Sequence, residues 1–376
     1  MVLRQIVHFG KFYHPRVGGI ETVTESMASS AAVSGFTVSV VCFGEQPKPR
    51  VELIKGVKII RAPLFGSIKS QPLSISYLKH CIKEGSQADL IHLHAPNVLA
   101  GVCALLLNRR VKLVVHWHSD IVGKGLTYYL YLPIQKLLLA RSDLIITTSA
   151  EYARASPSLT PYEFKQFVLP IGIRDPLLKP MVQALPNRLV ELISGRKIIL
   201  SVGRLVTYKG FEVLIEAASL ISGEAVVVIV GDGPLREKLD SMISAKGLTG
   251  RVLLVGKVDA QCLQLLYSIA ELFCLSSLNR AEAFGVVLVE ALANGLPIVT
   301  TKITGSGVSW VNQHNVTGLN VLPGDSKQLA DACNKILESA HLRASFSLAA
   351  RERFLSEFQS DTLNKKLIER YSEFFE

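Results

Sequence analysis

The chain lacks the cysteine patterns of metal-binding and disulfide-stabilised domains. Zinc ribbons and disulfide frameworks need closely or regularly spaced cysteines. Here six cysteines are scattered over 376 residues, without any Cys-x-x-Cys pair. We therefore expect reduced thiols at all of them, namely Cys42, Cys81, Cys103, Cys262, Cys274 and Cys333.

Long hydrophobic runs are also lacking. The longest, Val98–Leu107, is about half of the ~20 residues that a membrane-spanning helix needs. The amino terminus, Met1–Gly10, has no extended apolar core of a secretory signal and is typical of a first β-strand. We expect a cytoplasmic chain that does not cross a membrane, although it could lie on one.

Acidic residues are scarce in the first half of the chain. Residues 1–190 contain 22 Lys and Arg against 11 Asp and Glu, a net charge of +11, whereas the remainder is nearly neutral. A basic half implies an anionic partner, either acidic lipid at the inner face of the plasma membrane or a phosphorylated acceptor. Plain solvation is the alternative, and nucleic acid is not expected because no recognition motif is present.

Short β-rich runs alternate with amphipathic stretches throughout. The predicted strands are Gln5–Phe9, Thr37–Cys42, Val57–Arg61, Leu90–His92, Lys112–His116, Leu144–Thr148, Ile198–Val202, Ala225–Val230, Val252–Val255, Leu272–Leu275 and Ile298–Thr300. The predicted helices include Glu21–Val33, Phe211–Ile221, Leu235–Lys246 and Gln328–Glu338. Continuously apolar strands are typical of sheets covered on both faces. The repeated units predict an α/β protein with two doubly wound parallel sheets, joined by a proline-rich linker within Pro170–Arg196.

The strongest chemical signal is the segment Glu282–Glu290, which reads EAFGVVLVE. A tight turn at Ala283–Gly285 opens a helix, and the free amides of a helix amino terminus attract phosphate. Glu290 lies ~8 Å further along at ~1.5 Å per residue, within reach of a ribose beyond a diphosphate. The plain alternative is an ordinary helix start with two solvated acids.

A second signal, Ser201–Gly210, follows an apolar strand and reads SVGRLVTYKG. Arginine suits bidentate phosphate contact and lysine adds a compact positive charge. Arg204 and Lys209 would neutralise a departing diphosphate and so take the role that a metal ion has in other enzymes. The alternative interpretation is two surface cations near a turn.

Two weaker signals lie in the first half. Gly18 and Gly19 precede a helix and let backbone amides approach an anion. The segment Val115–Asp120 ends a strand, where His118 or Asp120 could face a ligand, whereas His116 is more typical of a core position.

Other nucleotide-binding classes are not favoured. The segment Val230–Arg236 has Arg236 where a dinucleotide fingerprint requires Gly or Ala, and there is no P-loop Gly-Lys-Ser/Thr sequence. No Asp-x-Asp occurs, so a metal-chelated diphosphate is not expected, and neither a metal nor another cofactor is required.

Together these residues resemble family 4 glycosyltransferases, over nearly the whole chain from Phe12–Glu21 to Thr317–Asp325. The resemblance implies the GT-B fold, with two Rossmann-like β/α/β domains facing a central cleft. It implies an acceptor domain over 1–175, a donor domain over 176–357 and a terminal helix, 358–376, crossing back to the first domain. One loop departs from the family pattern: Thr304–Ser309 replaces a Gly-Gly-x-x-Glu sequence, which puts the role of that loop in doubt.

The resemblance also implies roles for individual residues. The donor diphosphate would be held by Arg204, Lys209, Gly18 and Gly19. The backbone amides of Phe284, Gly285, Val286 and Val287 would contact the donor sugar and phosphates. Glu282 would bind the transferred sugar, Glu290 the ribose and Val258 the base. His118 would lie near the reacting sugar.

The implied activity is retaining transfer of a hexose, with mannose from GDP-mannose as the first choice and UDP-sugars as the alternative. The implied acceptor is a polyprenyl-diphosphate-linked saccharide of bacterial lipopolysaccharide or O-antigen synthesis. A sugar phosphorylase or a non-catalytic nucleotide-sugar binding protein are the other classes. The basic residues Arg109, Arg110, Lys112 and Lys124 could meet lipid headgroups beside Tyr128–Tyr131; alternatively, these tyrosines pack inside the first domain.

Overall fold

The structure, a computed structural model, describes residues 4–16, 18–68, 71–121, 125–178 and 185–376. The chain divides into two compact units. Unit 1 comprises Met1–Ile173 and Ser360–Glu376, and unit 2 comprises Arg174–Gln359. The boundary after Ile173 falls within the stretch predicted as a linker, whose described part also contains a 3-10 turn, Pro176–Leu178, and a short α-helix, Asn187–Ile193.

Unit 1 is built on an eight-stranded sheet with helices between the strands. Its strands are β1 (Gln5–Phe9), β2 (Thr37–Gly44), β3 (Arg50–Ile54), β4 (Val57–Pro63), β7 (Leu90–Ala95), β8 (Lys112–Trp117), β9 (Leu144–Thr147) and β10 (Gln166–Val168), with the small hairpin β5 (Gly66–Ile68) and β6 (Gln71–Leu73). Its helices are α1 (Gly19–Val33), α2 (Ile75–Gly85), α3 (Val98–Leu106), α4 (Leu126–Arg141), α5 (Ala150–Ala155) and α14 (Ser360–Ser372).

Unit 2 is built on a six-stranded, wholly parallel sheet. Its strands are β11 (Ile198–Val202), β12 (Val226–Val230), β13 (Val252–Gly256), β14 (Leu272–Leu275), β15 (Ile298–Thr301) and β16 (Gly318–Val321). Its helices are α6 (Asn187–Ile193), α7 (Phe211–Ala218), α8 (Arg236–Ala245), α9 (Ala260–Ile269), α10 (Val286–Ala293), α11 (Val308–Val311), α12 (Ser326–Glu338) and α13 (Ala340–Glu357).

The central strands form because apolar, β-branched runs bury both of their faces. Every residue of β11 and β12 is buried, and the core of unit 2 continues into α7 and α12 through Leu214, Leu329 and Ile336. This confirms the predicted doubly wound sheets and each of the predicted strands, to within a few residues at their ends.

The strands that the sequence did not predict are β3, β5, β6, β10 and β16. All lie at sheet edges or in the hairpin, and the edge strand β3 pairs antiparallel with β4 only. Each of these strands includes polar residues, so it lacks the continuous apolar run that marks a central strand.

The two sheets share the order of their central strands. In unit 2 the order β13-β12-β11-β14-β15-β16 places the first and fourth strands side by side. In unit 1 the corresponding neighbours are β1 and β7. Strand order reverses at these points, and open α/β sheets bind ligands in the crevice outside the carboxyl ends of the strands there.

None of the described helices is long and apolar enough to span a bilayer.

Candidate functional site

The loops that follow β11 and β14 meet at the switch point of unit 2, and a buried ion pair joins them. The Lys209 Nζ lies 2.6 Å from the Glu282 Oε2, and both side chains are only 9% exposed. The Ser277 hydroxyl donates a second hydrogen bond to the same carboxylate oxygen, at 2.9 Å. Lys209 is therefore not a surface cation near a turn, which was the alternative interpretation of this segment. The sequence did not predict its pairing with Glu282.

Electrostatics keep Lys209 charged despite its burial. Burial by itself lowers the pKa of the ammonium group, but the carboxylate of Glu282 and the nearby Tyr208 and Glu290 outweigh it, so that the net pKa is raised. The loop thus holds a fixed positive charge at the switch point, where the pattern predicts a diphosphate.

Gly210 allows the two loops to pack this closely. It adopts φ +66°, and a Cβ at this position would lie 2.1 Å from the Ser276 carbonyl oxygen. Two hydrogen bonds complete the contact: the Leu278 amide donates to the Tyr208 carbonyl at 2.7 Å, and the Ser276 hydroxyl donates to the Lys209 carbonyl at 3.1 Å.

The segment predicted as a turn opening a helix is confirmed as such. Gly285 precedes α10 in the left-handed conformation, with φ +81°. Phe284 is buried against Trp310 and Phe358, so only its backbone is offered to a ligand. Within the described residues, no hydrogen bond is made by the amides of Phe284, Gly285, Val286 and Val287. Free amides at a helix amino terminus attract phosphate.

The loop that departs from the family pattern supports the Glu282 turn. The fully buried Ser306 donates its hydroxyl to the Glu282 carbonyl at 2.5 Å, and the Gly307 amide donates to the Ala283 carbonyl at 2.8 Å. Arg280 donates to the Gly305 carbonyl at 3.0 Å. This loop therefore fixes the backbone around Glu282.

Glu290 lies on the first turns of α10 and has a partner that the sequence reasoning missed. The Tyr267 hydroxyl, which belongs to the buried face of α9, donates to the Glu290 Oε2 at 2.7 Å. Burial raises the pKa of the Glu290 carboxyl, against the opposing effects of this hydrogen bond and of the Lys209 charge. Helical spacing alone places Tyr267 on the apolar face of α9, and its partner is known only from the fold.

Arg204 and Val258 lie in loops that follow neighbouring strands. The Arg204 side chain is exposed in the loop after β11, and nothing in the described ranges holds its guanidinium in a hydrogen bond or ion pair. Val258 is half-buried in the loop after β13. Their positions place both at the carboxyl edge of the unit 2 sheet.

In unit 1, α1 begins at Gly19, as the double glycine suggested. The side chain of Glu21 covers this helix start: a Cβ on Gly18 would lie 2.3 Å from the Glu21 Oε2. An anion at Gly18 and Gly19 therefore requires Glu21 to move.

His118 lies just beyond β8 and is buried. Burial lowers its pKa to about 3, so the ring is neutral at physiological pH. Its Nε2 lies 3.1 Å from the His94 Nδ1. Asp120 has a structural role, because it accepts from the Trp117 indole at 3.0 Å and from the Ser156 hydroxyl at 2.7 Å.

The described basic residues and the tyrosines of the expected lipid-facing patch lie at opposite ends of β8. Arg109, Arg110 and Lys112 lie at the amino end of β8, whereas Tyr128–Tyr131 belong to the first turns of α4, which follows its carboxyl end. The six residues of β8 separate these groups by ~20 Å at ~3.3 Å per residue. Tyr131 is buried and Tyr129 is 67% exposed, and Lys124 lies outside the described residues.

Comparison with known sequence families covers most of the chain. The family described as "Glycosyltransferase Family 4" matches residues 17–173, and the family described as "Glycosyl transferases group 1" matches residues 188–353. Each match falls largely within one of the two units.

Two curated relatives are similar over most of their length. The D-rhamnosyltransferase WbpZ of Pseudomonas aeruginosa is 31% identical over 336 residues, 89% of this chain and 87% of that protein. The O-antigen chain mannosyltransferase C of Escherichia coli is 28% identical over 373 residues, 99% of each protein. Among solved structures, Anabaena HepE in complex with UDP and glucose superposes with a TM-score of 0.78 at 22% identity, over 98% of this chain and 100% of that one.

Proposed function

The chain belongs to the family 4 glycosyltransferases with the GT-B fold, and from this premise we propose that it transfers mannose from GDP-mannose to a lipid-linked saccharide in O-antigen or lipopolysaccharide synthesis. The observation that carries the proposal is the buried Lys209–Glu282 pair beside the Gly285 helix start. A cation and a carboxylate held together there suit a ligand with a diphosphate on one side and sugar hydroxyls on the other.

In this proposal the donor lies along the carboxyl edge of the unit 2 sheet. Arg204 and Lys209 neutralise the diphosphate, and the amides of Phe284 to Val287 bind a phosphate oxygen. Glu282 accepts hydrogen bonds from the transferred sugar and Glu290 from the ribose, while Val258 contacts the base. The two cations stabilise the charge that develops on the departing phosphate, so no divalent ion is needed; transfer that survives chelation by EDTA is the expected result.

The choice of mannose rests on similarity to the E. coli mannosyltransferase. The D-rhamnosyltransferase and the UDP complex of HepE favour the alternatives, another hexose or a UDP-sugar. A binding protein without transfer activity remains the non-enzymatic candidate, but nothing in the described site specifically favours it.

Thermal shift with GDP, UDP and their sugars tests the donor proposal. A ligand at a hundred times its Kd adds ~2.7 kcal/mol of stability, and GDP and GDP-mannose are expected to raise Tm most. The Arg204→Ala variant should lose most of this shift. Lys246→Ala is the matched control, because that exposed lysine follows α8 at the opposite edge of the same sheet.

Each other outcome has a distinct meaning. A shift with UDP alone replaces GDP-mannose with a UDP-sugar. A shift without donor hydrolysis or transfer to a lipid-linked acceptor favours a binding protein. No shift with any nucleotide contradicts the proposed donor site.

We further propose retention of anomeric configuration by a front-face mechanism. The bond from the sugar C1 to the donor phosphate breaks, a bond to the acceptor oxygen forms on the same face, and the departing phosphate takes the acceptor proton. A neutral His118 positions the sugar by hydrogen bonding. An α-linked product from an α-linked donor, measured by NMR of the anomeric proton, is expected, and a β-linked product contradicts the mechanism.

The basic unit 1 is proposed to dock the enzyme on the anionic inner face of the plasma membrane. Arg4, Arg110 and Lys112 line a groove of about 560 Å³, which Phe374, Phe375 and the acidic Asp89 and Glu376 also line. Binding to phosphatidylglycerol vesicles should weaken with salt and with Arg109→Ser/Arg110→Ser, and not with Lys246→Ser. Binding that is insensitive to salt contradicts an electrostatic contact.

A further inference from the structure

The core of unit 1 contains five histidines on, or directly after, three adjacent parallel strands. They are His8, His92, His94, His116 and His118, and all are buried. In the strand register His8 lies opposite His92, and His94 lies opposite His116. The rings form two rows, which stack against each other through His116 and His118 at 4.1 Å between centroids.

The first row runs from His118 through His94 to His8. The His118 Nε2 lies 3.1 Å from the His94 Nδ1, and the His94 Nε2 lies 3.2 Å from the His8 Nδ1. The ring planes differ by only 14° and 23°, with centroids 5.4 and 5.5 Å apart. The rings therefore meet edge to edge, nearly in one plane, which is the geometry of a continuous hydrogen-bonded imidazole chain.

The second row is a separate chain. The Tyr371 hydroxyl on α14 lies 2.5 Å from the His92 Nδ1, and the His92 Nε2 lies 3.4 Å from the His116 Nδ1. His92 therefore shares strand, face and burial with His94 but does not hydrogen-bond to His118.

Hydrogen bonding in the first row forces a common tautomer. A neutral imidazole has one N–H donor and one acceptor nitrogen. His94 uses both nitrogens, so it must donate to one neighbour and accept from the other. Each bond joins an Nδ1 to an Nε2, and consequently all three rings carry their proton on the same kind of nitrogen.

Burial supports this description, because it lowers the pKa of His8 and His118 to about 3 and the pKa of His94 well below its ordinary value. The end nitrogens, the His8 Nε2 and the His118 Nδ1, are buried and have no partner among the described residues. The nitrogen that carries the proton in one end ring therefore determines the nitrogen that carries it in the other end ring.

We propose that His94 and His8 are positioning residues for transfer, which hold the His118 ring in one orientation and one tautomer through an in-plane imidazole chain. The proposal rests on the proposed function, in which His118 positions the reacting sugar. His94 touches His118 directly and His8 acts through His94.

Metal binding is the competing use of the same nitrogens. Two triads, His8–His92–His94 and His94–His116–His118, each bring three ring nitrogens within 4.8 Å of one another. Neither triad contains a carboxylate or thiolate to offset a buried divalent charge, which is costly to desolvate. The nearly coplanar, edge-to-edge rings of the first row also match hydrogen bonding. The hydrogen-bonded imidazole chain is therefore favoured over coordination of a metal ion.

Long-range ¹H–¹⁵N NMR of histidine-labelled protein tests the imidazole chain without any activity measurement. The protein has nine histidines, and single substitutions assign their signals. His8, His94 and His118 are expected to share one neutral tautomer at pH 7, before and after addition of Zn²⁺. Mixed tautomers among the three rings, or zinc-induced shifts of these signals with one equivalent bound, overturn the proposal.

Turnover tests the positioning role. His94→Leu should lower kcat by about tenfold or more, because the His118 ring loses the hydrogen bond that orients it, with the donor KM unchanged within about twofold. His92→Leu is the matched control from the same strand and face, and should retain kcat within about twofold although it also loses stability. Equal losses of kcat in both variants would reveal a purely structural role.

The two proposals fail in distinguishable ways. If the wild-type protein transfers no sugar, the proposed function fails, while the NMR result still shows whether the imidazole chain exists. If the wild type is active and His94→Leu keeps its kcat, the positioning role fails while the glycosyltransferase function stands. If His94→Leu does not fold, the measurements on wild-type protein and on His8→Leu remain decisive.

Discussion

At the scale of single residues, the site of unit 2 depends on a buried charge pair. Lys209 and Glu282 share one short contact, and Ser277 is the only other side chain that donates to Glu282 among the described residues. A buried pair contributes little net stability over apolar residues, but removing one partner leaves an uncompensated buried charge.

Lys209→Met is expected to destabilise the protein by ~3–5 kcal/mol, because Glu282 remains buried without its partner. The double variant Lys209→Met/Glu282→Leu should recover much of this loss, although we expect it not to bind the proposed donor. Lys238→Met is the control, since its pair with Glu212 is exposed and is worth less than ~1 kcal/mol. Urea unfolding measures all three, and equal costs in both single variants would contradict the burial argument.

Tyr267 fixes one oxygen of Glu290 and leaves the other for the proposed ribose contact. Tyr267→Phe removes a hydrogen bond worth ~0.5–1.5 kcal/mol and should weaken GDP binding several-fold in calorimetric titration. Tyr162→Phe removes a similar hydroxyl contact in unit 1, to the Lys136 carbonyl, and should not affect GDP affinity. An unchanged Kd in Tyr267→Phe would exclude Glu290 as a ribose ligand positioned by this tyrosine.

At the scale of elements, the start of α10 combines an unusual backbone conformation with the proposed phosphate contacts. A Cβ on Gly285 would lie 3.0 Å from the Leu288 Cδ1, in addition to the strain of φ +81°. The predicted helix start was correct because its signal is local: a glycine, a turn and an apolar run lie within a few residues.

Gly285→Ala should destabilise unit 2 by ~1–2 kcal/mol and should also weaken GDP binding, because the free amides shift. Gly247→Ala provides the control: it has φ +65° but nothing within 4 Å of the added methyl group. The expected result is a comparable loss of Tm in both variants and a loss of affinity in Gly285→Ala alone. Equal GDP affinity in the two would argue against phosphate binding at this helix.

The sequence predicted the central strands better than the edges for a physical reason. β11 and β12 are buried on both faces and are therefore apolar throughout, whereas β3 alternates exposed and half-buried residues at a sheet edge. The terminal segment illustrates another limit, because a sequence pattern does not reveal that Tyr371 of α14 hydrogen-bonds to His92 of β7.

At the scale of the whole molecule, the buried histidines make stability depend on pH. His8 and His118 have a pKa of about 3 in the folded protein because of burial, against ~6.5 when unfolded. Below pH ~6.5 the unfolded chain therefore binds more protons than the folded one, and stability falls as pH decreases towards 3.

Unit 1 should accordingly lose stability between pH 6.5 and 5, before most carboxylates are protonated. The two tryptophans lie one in each unit, Trp117 and Trp310, so fluorescence of a Trp310→Phe variant follows unit 1 alone in urea unfolding. Replacing the exposed His341 of unit 2 should leave the slope unchanged. A flat profile over this range would contradict neutral, buried histidines.

The sequence by itself determined the alternation of strands and helices, the two doubly wound sheets, the positions of Arg204, Lys209 and Glu282 in loops after strands, and that of Glu290 on the helix that follows. These features depend on residues close together in the chain. Only the tertiary structure decided that Lys209 pairs with Glu282, that Tyr267 holds Glu290 and that His118, His94 and His8 form one chain. Strand order brings these groups together from distant segments, and spacing along the sequence does not predict which of their side chains come into contact.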